Sequence, residues 1–497
     1  MASVDDVVAS IRSGPSGPKV AAIFDFDGTL IDGYSAQALY AHRAKNFEIG
    51  PEELVRTFLA ALRGPLDEVG FTDLIERGVH GWAGRTEQEL RELGERLFAE
   101  EIGGTLFHDA WRLVRAHQNH GHTVVIASSA TRLQIAPMAD ALGIEYVLCT
   151  ELETTEGVVT GRISGRPLWG GGKSAAVWTF AQRHDIDLDA SYAYANGDED
   201  VPFLSIVGQP HAVNPQSGLA RHAAEQGWPH IAFATKPGML DPLPALRTAA
   251  MYGSLFATAG AGFVAGLLTN NRRNGMDLAT TLFGDIGGWL GDINVVVRGE
   301  VHLRSHRPAV FFVNHQSTLI DALVTARLLR RGYTMVMKAE VRDMPVIGQI
   351  FDLAGVAFVD RASTAEAIAA LQPAVEKLRS GTSIAIAPEG TRSMTPQVGP
   401  FKKGGFRLAV DAGVPIVPIV IRNAGEIMWR NAVTAQSGTI EVVVHQPVPT
   451  TGWTRSDIDE WLPRTRQLYV DTLDDWPGTH AGHQWSKAIA NATEAEA

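Results

Sequence analysis

Two short apolar runs in distant parts of the chain each break off into a cluster of chemically active residues, and this arrangement constrains the fold more than any other feature. Val20-Ala21-Ala22-Ile23-Phe24 runs into Asp25-Phe26-Asp27-Gly28-Thr29. Ala309-Val310-Phe311-Phe312-Val313 runs into Asn314-His315-Gln316-Ser317, with Asp321 close behind. A short continuous apolar run bounded by turn formers reads as a strand buried on both faces, and such a strand needs helices on both sides of its sheet. Each motif therefore calls for its own layered α/β core. At 497 residues the chain is long enough for two or three domains. With 45% hydrophobic and 20% charged residues it can fill those cores. Its net charge of −12 excludes general nucleic-acid binding, which needs a basic surface to displace phosphate counterions. Any bound phosphate must be held by local groups.

From Lys19 to about Ala234, β-rich runs at Val20–Phe24, Thr123–Ala127, Tyr146–Cys149 and Tyr192–Ala195 alternate with helical stretches. This pattern predicts a Rossmann-like parallel sheet flanked by helices. A polar, helix-periodic insert, about 34–110, reads as a helical cap over the C-terminal edge of the first strand, where open α/β sheets place their ligands. The lone Cys149 follows an apolar run and reads as core filler in a reducing compartment. Met1 to Lys19 has neither a basic leader nor an apolar signal-length run, which is expected of a cytosolic start.

From Thr248 to Asn271 no residue is charged, and Met251–Asn270 has the length of a membrane span. It is rich in Gly, Ala, Ser and Thr and is closed by Arg272 and Arg273. A half-inserted or interfacial helix is expected, because a single crossing would place the two motif-bearing halves on opposite sides of a bilayer. Next, Leu278, Leu282, Ile286, Trp289, Leu290 and Ile293 share one helical face, and Asp277, Asp285 and Asp292 share the other. Two readings stay open: contact with a membrane, or two ordinary helices packed on the following domain. Gly262 and Gly266 would allow a close helix contact, and a homodimer is one use of it. From about Val295 to Thr451, strands are expected at Ala309–Val313, Thr334–Met337, Ser383–Ala387, Ile416–Ile421 and Thr439–Val444. The resulting division is an arm (1–18), a capped domain (19–236), a membrane-associating helical segment (245–294), a second α/β domain (295–470) and a frayed helix or tail (471–497).

A carboxylate at the end of a buried strand can attack phosphorus, and a second one two residues on can protonate the leaving group and later activate water. Asp25 and Asp27 are so placed. With the motifs that follow, the segment resembles the haloacid dehalogenase superfamily, in its phosphoserine-phosphatase-like branch. The resemblance implies that Ser128, after Val124-Val125-Ile126-Ala127, binds the phosphoryl group, and that Lys173, after Gly170-Gly171-Gly172, neutralises Asp25 and the phosphate. It also implies Mg²⁺ held by acidic residues in Asn196-Gly197-Asp198-Glu199-Asp200. The family spacing would pair Asn196 with Asp200; the register preferred here pairs Asp198 with Asp200, beside Asp25 and Asp27. The resemblance favours a small phosphomonoester substrate such as phosphoserine, whereas fusion to a second domain suggests a phosphate of a lipid pathway.

Acyl transfer to an alcohol needs a base, a group that orients it and donors for the oxyanion. His315 is a suitable base and Asp321 a suitable partner. Gly355-Val356-Ala357-Phe358-Val359-Asp360-Arg361, Pro388-Glu389-Gly390-Thr391-Arg392-Ser393 and Val414-Pro415-Ile416-Val417-Pro418-Ile419 follow in order. Together they resemble the glycerolipid acyltransferase family. That resemblance implies His315 as base, Asp321 as its partner, and Arg361, Glu389, Gly390, Thr391 and Arg392 as ligands of the acceptor's phosphate and glycerol. The expected acceptor is lysophosphatidic acid and the donor acyl-CoA or acyl carrier protein, at the cytoplasmic face of the cell membrane, peripheral or partly inserted. One residue more than the family pattern separates His315 from Asp321, so a bulge or loop must restore their contact. A rival reading keeps the acyltransferase and makes the capped domain a non-catalytic lipid-sensing or dimerisation module.

Overall fold

The computed structural model describes residues 2–46, 68–234, 242–338, 341–343, 348–349, 356–359 and 371–495. They fall into two units, Met1–Pro237 and Gly238–Ala497.

In the first unit, β1 (Ala21–Phe24), β2 (Thr123–Thr131), β3 (Tyr146–Thr150), β6 (Tyr192–Ala195), β7 (Gln209–Val213) and β8 (His230–Ile231) form one sheet in the order β3-β2-β1-β6-β7-β8. Every pairing in it is parallel. All four residues of β1 are buried, as a central strand covered on both faces requires. The chain winds outward from β1 to β3 on one side and then from β6 to β8 on the other. The strand order therefore reverses beside β1, where a crevice opens at the strands' carboxyl ends. Helices Ser35–Lys45, Glu68–His80 and Glu87–Glu100 lie between β1 and β2 and form the described part of the cap. Thr86 opens the last of these with a capping box to Glu89. A small antiparallel hairpin, β4 (Leu152–Thr155) with β5 (Val158–Ile163), follows β3. The arm holds a helix, Val4–Ser13, that buries Val4, Val7 and Ile11.

The second unit has a seven-stranded sheet built from β9 (Ile293–Arg298), β10 (Val310–Val313), β11 (Tyr333–Lys338), β12 (Ala357–Val359), β13 (Ser383–Ile386), β14 (Ile416–Ile421) and β15 (Gly438–Val444). Its order is β12-β11-β13-β10-β14-β15-β9, and β14–β15 is the antiparallel pair. Strand β10 is central, so the residues after it emerge in the middle of the sheet's edge. The Tyr469 hydroxyl, on helix Asp457–Asp474, donates to Phe312 O at 2.7 Å and accepts from Ile419 N at 3.1 Å. It thereby spans β10 and β14 just before His315. The segment expected as a frayed helix or tail is a helix, Thr479–Ala495, and it is docked rather than frayed, burying Ala481, Trp485 and Ile489.

The charge-free run lies in a 27-residue helix, Pro242–Leu268, about 40 Å long at 1.5 Å per residue. It packs against helix Arg272–Leu282. A Cβ at Gly262 would collide with Gly275 O and the Ala279 side chain, so this close approach requires glycine. The glycine surface that suggested a dimer is thus occupied within the chain. Ile293, expected on the second helix's apolar face, is instead the buried start of β9. The three aspartates, expected on the face opposite the apolar one, have intramolecular partners: Asp277 accepts from Gly332 N at 2.8 Å, Asp285 from Arg330 Nη2 at 2.8 Å, and Asp292 from Arg247 Nη2 at 2.9 Å.

Candidate active sites

In the first unit, Asp25 leaves β1 with its N–H bonded to Tyr194 O at 2.9 Å, which holds it against β6. Lys173, near the start of helix Gly171–His184, donates to Asp25 Oδ1 at 2.9 Å and to Asp200 Oδ1 at 2.6 Å. All three side chains are buried. Burial pushes Asp25 up to about 7 against the pull of Lys173, and Asp200 adds to the rise. Burial alone would depress Lys173, but the two carboxylates outweigh it and raise the ammonium well above its ordinary range. Removing one partner of such a buried charge cluster costs about 3–5 kcal/mol.

Asp27 accepts from Ser35 N at 2.7 Å and Ser35 Oγ at 3.2 Å, and Gln134 Nε2 fixes that hydroxyl at 2.8 Å. Burial nevertheless raises Asp27 to about 6, the range in which a carboxyl can both give and take a proton near neutrality. Ser35 and Gln134 were missed from sequence because both lie outside the motifs. Ser128 is buried within the C-terminal half of β2, its Oγ accepting from Ala130 N at 3.2 Å. Gly28 adopts φ +76°, and any Cβ there would strike the Asn196 side chain.

Asp198 corrects the preferred metal register. It is exposed, and its Oδ1 accepts from Leu219 N at 2.7 Å, in the first turn of helix Ser217–Gln226. A carboxylate there is stabilised by the helix terminus. The structure brings Asp200 to Asp25 and leaves Asp198 outside, while Asn196 packs against Gly28 and bonds Thr29 Oγ1 at 3.2 Å. Asp25, Asp27 and Asp200 are hard oxygen donors, and three carboxylates against one ammonium leave negative charge that a divalent cation would neutralise. The donor set fits Mg²⁺, which keeps several waters and needs few protein ligands. Among the described residues no group of three or more His, Cys, Asp or Glu forms a ready-made metal cage.

In the second unit, Asn314 extends the sheet through its side chain: Nδ2 donates to Ile421 O at 2.7 Å and Oδ1 accepts from Ile421 N at 2.7 Å. This pins the residue before His315 to β14, a role that a side-chain amide with one donor and one acceptor can play. His315 Nδ1 lies 2.7 Å from Asp321 Oδ2, which also accepts from Gln316 N and Ser317 N, both at 2.9 Å. The extra residue is absorbed because helix Thr318–Leu329 begins only after Ser317, leaving 315–317 as a loop that folds back on Asp321. The bond at Nδ1 places the proton there and leaves Nε2 as the basic atom.

Glu389 departs from its expected role at the substrate. It is 2% exposed. Its Oε1 accepts from His315 N at 2.8 Å, and its Oε2 from Ser393 Oγ at 2.8 Å and Gly399 N at 2.7 Å. Ser393 N returns a bond to His315 O at 2.8 Å. Glu389 is therefore a clamp that fixes the histidine loop to the 388–393 turn. Gly390, Thr391 and Arg392 line a cavity of about 1340 Å³ together with His315 and Asp321. The cavity extends to the apolar faces of helices Pro242–Leu268 and Arg272–Leu282. Arg430 lies in the same wall, and no motif marked it. Arg361 lies outside the described residues. Lys403, near the turn, pairs with Asp459.

Residues 22–205 match the family model of haloacid dehalogenase-like hydrolases, and residues 294–422 that of acyltransferases. In its first half the chain belongs to the haloacid dehalogenase-like hydrolase family, and its second half carries the segment that the acyltransferase model matches. Its hydrolase half is 31% identical over 256 residues to phosphoserine phosphatase SerB1 of Mycobacterium tuberculosis, covering 50% of this chain and 83% of that one. Its acyltransferase half is 35% identical over 185 residues to an uncharacterized acyltransferase of Schizosaccharomyces pombe, covering 37% of this chain and 66% of that protein. It is also 33% identical over 186 residues to the 1-acyl-sn-glycerol-3-phosphate acyltransferase of Saccharomyces cerevisiae, covering 37% of this chain and 61% of that protein. The chain thus spans just under two thirds of the length of each of these two yeast proteins.

Proposed function

We propose that the chain is a bifunctional enzyme that hydrolyses a phosphomonoester in its first half and, in its second, transfers an acyl group from acyl-CoA or acyl carrier protein to lysophosphatidic acid, giving phosphatidic acid. The observation that carries the reading is the His315–Asp321 pair opening into a large, mainly apolar cavity. Its volume exceeds the range of about 300–1,000 Å³ usual for small-molecule sites. The name of the Saccharomyces relative supports the choice of acceptor.

In the acyl step, His315 Nε2 takes the proton of the acceptor hydroxyl as its oxygen bonds to the thioester carbonyl carbon. The C–S bond then breaks, and the proton passes to the leaving sulfur. Asp321 keeps the ring oriented and stabilises the imidazolium. In the phosphatase step, an Asp25 oxygen bonds to phosphorus while the bond to the leaving oxygen breaks, with Asp27 supplying the proton. Water then attacks the phosphorus of the aspartyl phosphate, giving its proton to Asp27 and releasing Asp25. Lys173 holds the nucleophile and balances the phosphoryl charge. Mg²⁺, held by oxygens of Asp25, Asp27 and Asp200, would supply further neutralisation of the phosphoryl oxygens.

The helix pair supports attachment to a membrane, peripheral or partly inserted, and the acyl-thioester donor favours its cytoplasmic face. Helix Pro242–Leu268 turns Thr248, Ser254, Thr258 and Gly262 inward, whereas Leu246, Phe263, Leu267 and Leu268 are 54–82% exposed. In the segment that follows, Asp277 and Asp285 face their protein partners while Trp289 is 79% exposed. Small and polar residues inward with apolar residues outward is the arrangement that suits lipid rather than water.

The reading is tested on purified full-length protein in nanodiscs, with labelled lysophosphatidic acid, an acyl-CoA and Mg²⁺, following lipids and free phosphate together. Phosphatidic acid must form. Diacylglycerol with released phosphate would make the lipid a substrate of both halves, whereas phosphatidic acid alone would direct the phosphatase assay to small phosphomonoesters. No acyl transfer to lysophosphatidic acid would refute the acceptor assignment.

A further inference from the structure

We propose that Arg430 and Arg392 form a two-guanidinium seat for a phosphate monoester in the wall of the His315 cavity. The inference rests on the acyltransferase reading above and names a residue that no motif marked. Arg392 belongs to the 388–393 turn, whereas Arg430 lies beyond β14, between helix Ala424–Ile427 and β15. The two loops are bound reciprocally. Arg392 Nη1 donates to Arg430 O, and Arg430 Nη1 donates to Arg392 O at 3.0 Å and contacts Met394 Sδ at 3.2 Å. Trp429 Nε1 adds a bond to Met394 O at 3.2 Å.

These bonds occupy one nitrogen of each guanidinium and hold both groups in place. Among the described residues neither guanidinium has a carboxylate partner, and Arg430 Nε is buried with no hydrogen-bond partner. Two adjacent cations without an anion, one with a buried unpaired donor, are unfavourable by themselves. Burial and the neighbouring charge of Arg392 both lower the Arg430 pKa, which reflects that strain. A phosphate monoester answers both needs: it carries close to two negative charges and offers several oxygens to forked N–H pairs. Two reactants contain one, the acceptor through its head phosphate and coenzyme A through its 3′-phosphate. The test separates them.

Full-length wild-type, R430Q and R430K proteins in nanodiscs are assayed with lysophosphatidic acid and with monoacylglycerol as acceptors, and with acyl-CoA and its 3′-dephospho form as donors. A hydrogen-bonded charge is worth about 1.5–3 kcal/mol, or roughly 10–150-fold. R430Q should therefore reduce the kcat/KM preference for lysophosphatidic acid over monoacylglycerol by about that factor, chiefly through KM, and R430K should retain part of it. Loss of preference for acyl-CoA over its dephospho form would place the donor's phosphate in the seat. An equal loss with every acceptor and donor, or no loss, would reduce Arg430 to packing and overturn the proposal. A wild-type protein inactive on lysophosphatidic acid would refute the acyltransferase reading instead. In that event the seat is still tested by inorganic phosphate, which should protect Arg430 from phenylglyoxal in wild type and not in R392Q; absence of protection would overturn it.

Discussion

Replacing Glu389 with Gln distinguishes a residue that holds the catalytic histidine from one that binds substrate. The carboxylate accepts from His315 N, Gly399 N and Ser393 Oγ within 2.7–2.8 Å, and it is buried. A glutamine offers a single acceptor oxygen, and its amide nitrogen must face either His315 N or Gly399 N, donor against donor. Ser393 can rotate its hydroxyl, but a backbone N–H cannot. One buried donor is therefore stranded, at about 1–3 kcal/mol, and the remaining bonds lose their charge assistance. The expected destabilisation of the second unit is about 2–4 kcal/mol, a fall of roughly 5–10 °C in its melting midpoint. A displacement of about 1 Å at His315 should lower kcat about 10²-fold, with little change in the acceptor KM. Scanning calorimetry and steady-state kinetics on E389Q measure both. An unchanged midpoint with a raised acceptor KM would refute the clamp and return Glu389 to the substrate.

Other substitutions test other parts of the account. D200N should abolish Mg²⁺-dependent phosphatase turnover while D198N retains most of it, because only Asp200 reaches Lys173 and the Asp25 cluster; equal losses would restore the Asp198 register. Burial pushes His211 down from 6.5 to about 4, so between those pH values the unfolded chain binds a proton that the folded chain does not. The stability it confers is full above about pH 6.5 and lost as pH falls toward 4, by up to about 3 kcal/mol. The raised Asp25 and Asp27 titrate with the opposite sign in the same window, so the slope should be read in the difference between the wild-type and H211F urea midpoints, where those two contributions cancel. At Gly275, a Cβ would collide with Gly262 O, so G275L should force the two long helices apart and reduce acyl transfer without affecting phosphatase turnover. Unchanged acyl transfer in G275L would show that the helix contact does not shape the cavity.

The elements that could be read from sequence are those whose physics is local. Strand β1 and Asp25, like β10 and His315, combine an apolar run with an abrupt polar end, and that pattern needs no distant partner to be recognised. Lys173, behind its glycine-rich lead, followed only from the resemblance to the haloacid dehalogenase superfamily. Asp198 and Asp200 could not be separated this way, because a turn of 3₁₀ helix, Asp198–Asp200, decides which carboxylate points back to Lys173. Glu389 was misread for a similar reason: next to Arg392 it resembles a ligand, but its donors come from His315, 74 positions earlier, and Gly399, 10 later. Arg430 was invisible because its meaning depends on Arg392, 38 positions away. The aspartates of the helical segment were legible as one face, but their direction was not, since Arg247, Arg327, Arg330 and the Gly332 backbone pair with them only in three dimensions.

The central claim is that one chain carries two separate catalytic centres, and crossed inactivation tests it most directly. D25N, H315A and wild-type protein are each assayed for Mg²⁺-dependent phosphate release and for acyl transfer to lysophosphatidic acid. The account predicts that D25N loses phosphatase turnover and keeps acyl transfer, while H315A loses acyl transfer and keeps phosphatase turnover. Phosphatase turnover surviving in D25N, or acyl transfer surviving in H315A, would contradict it.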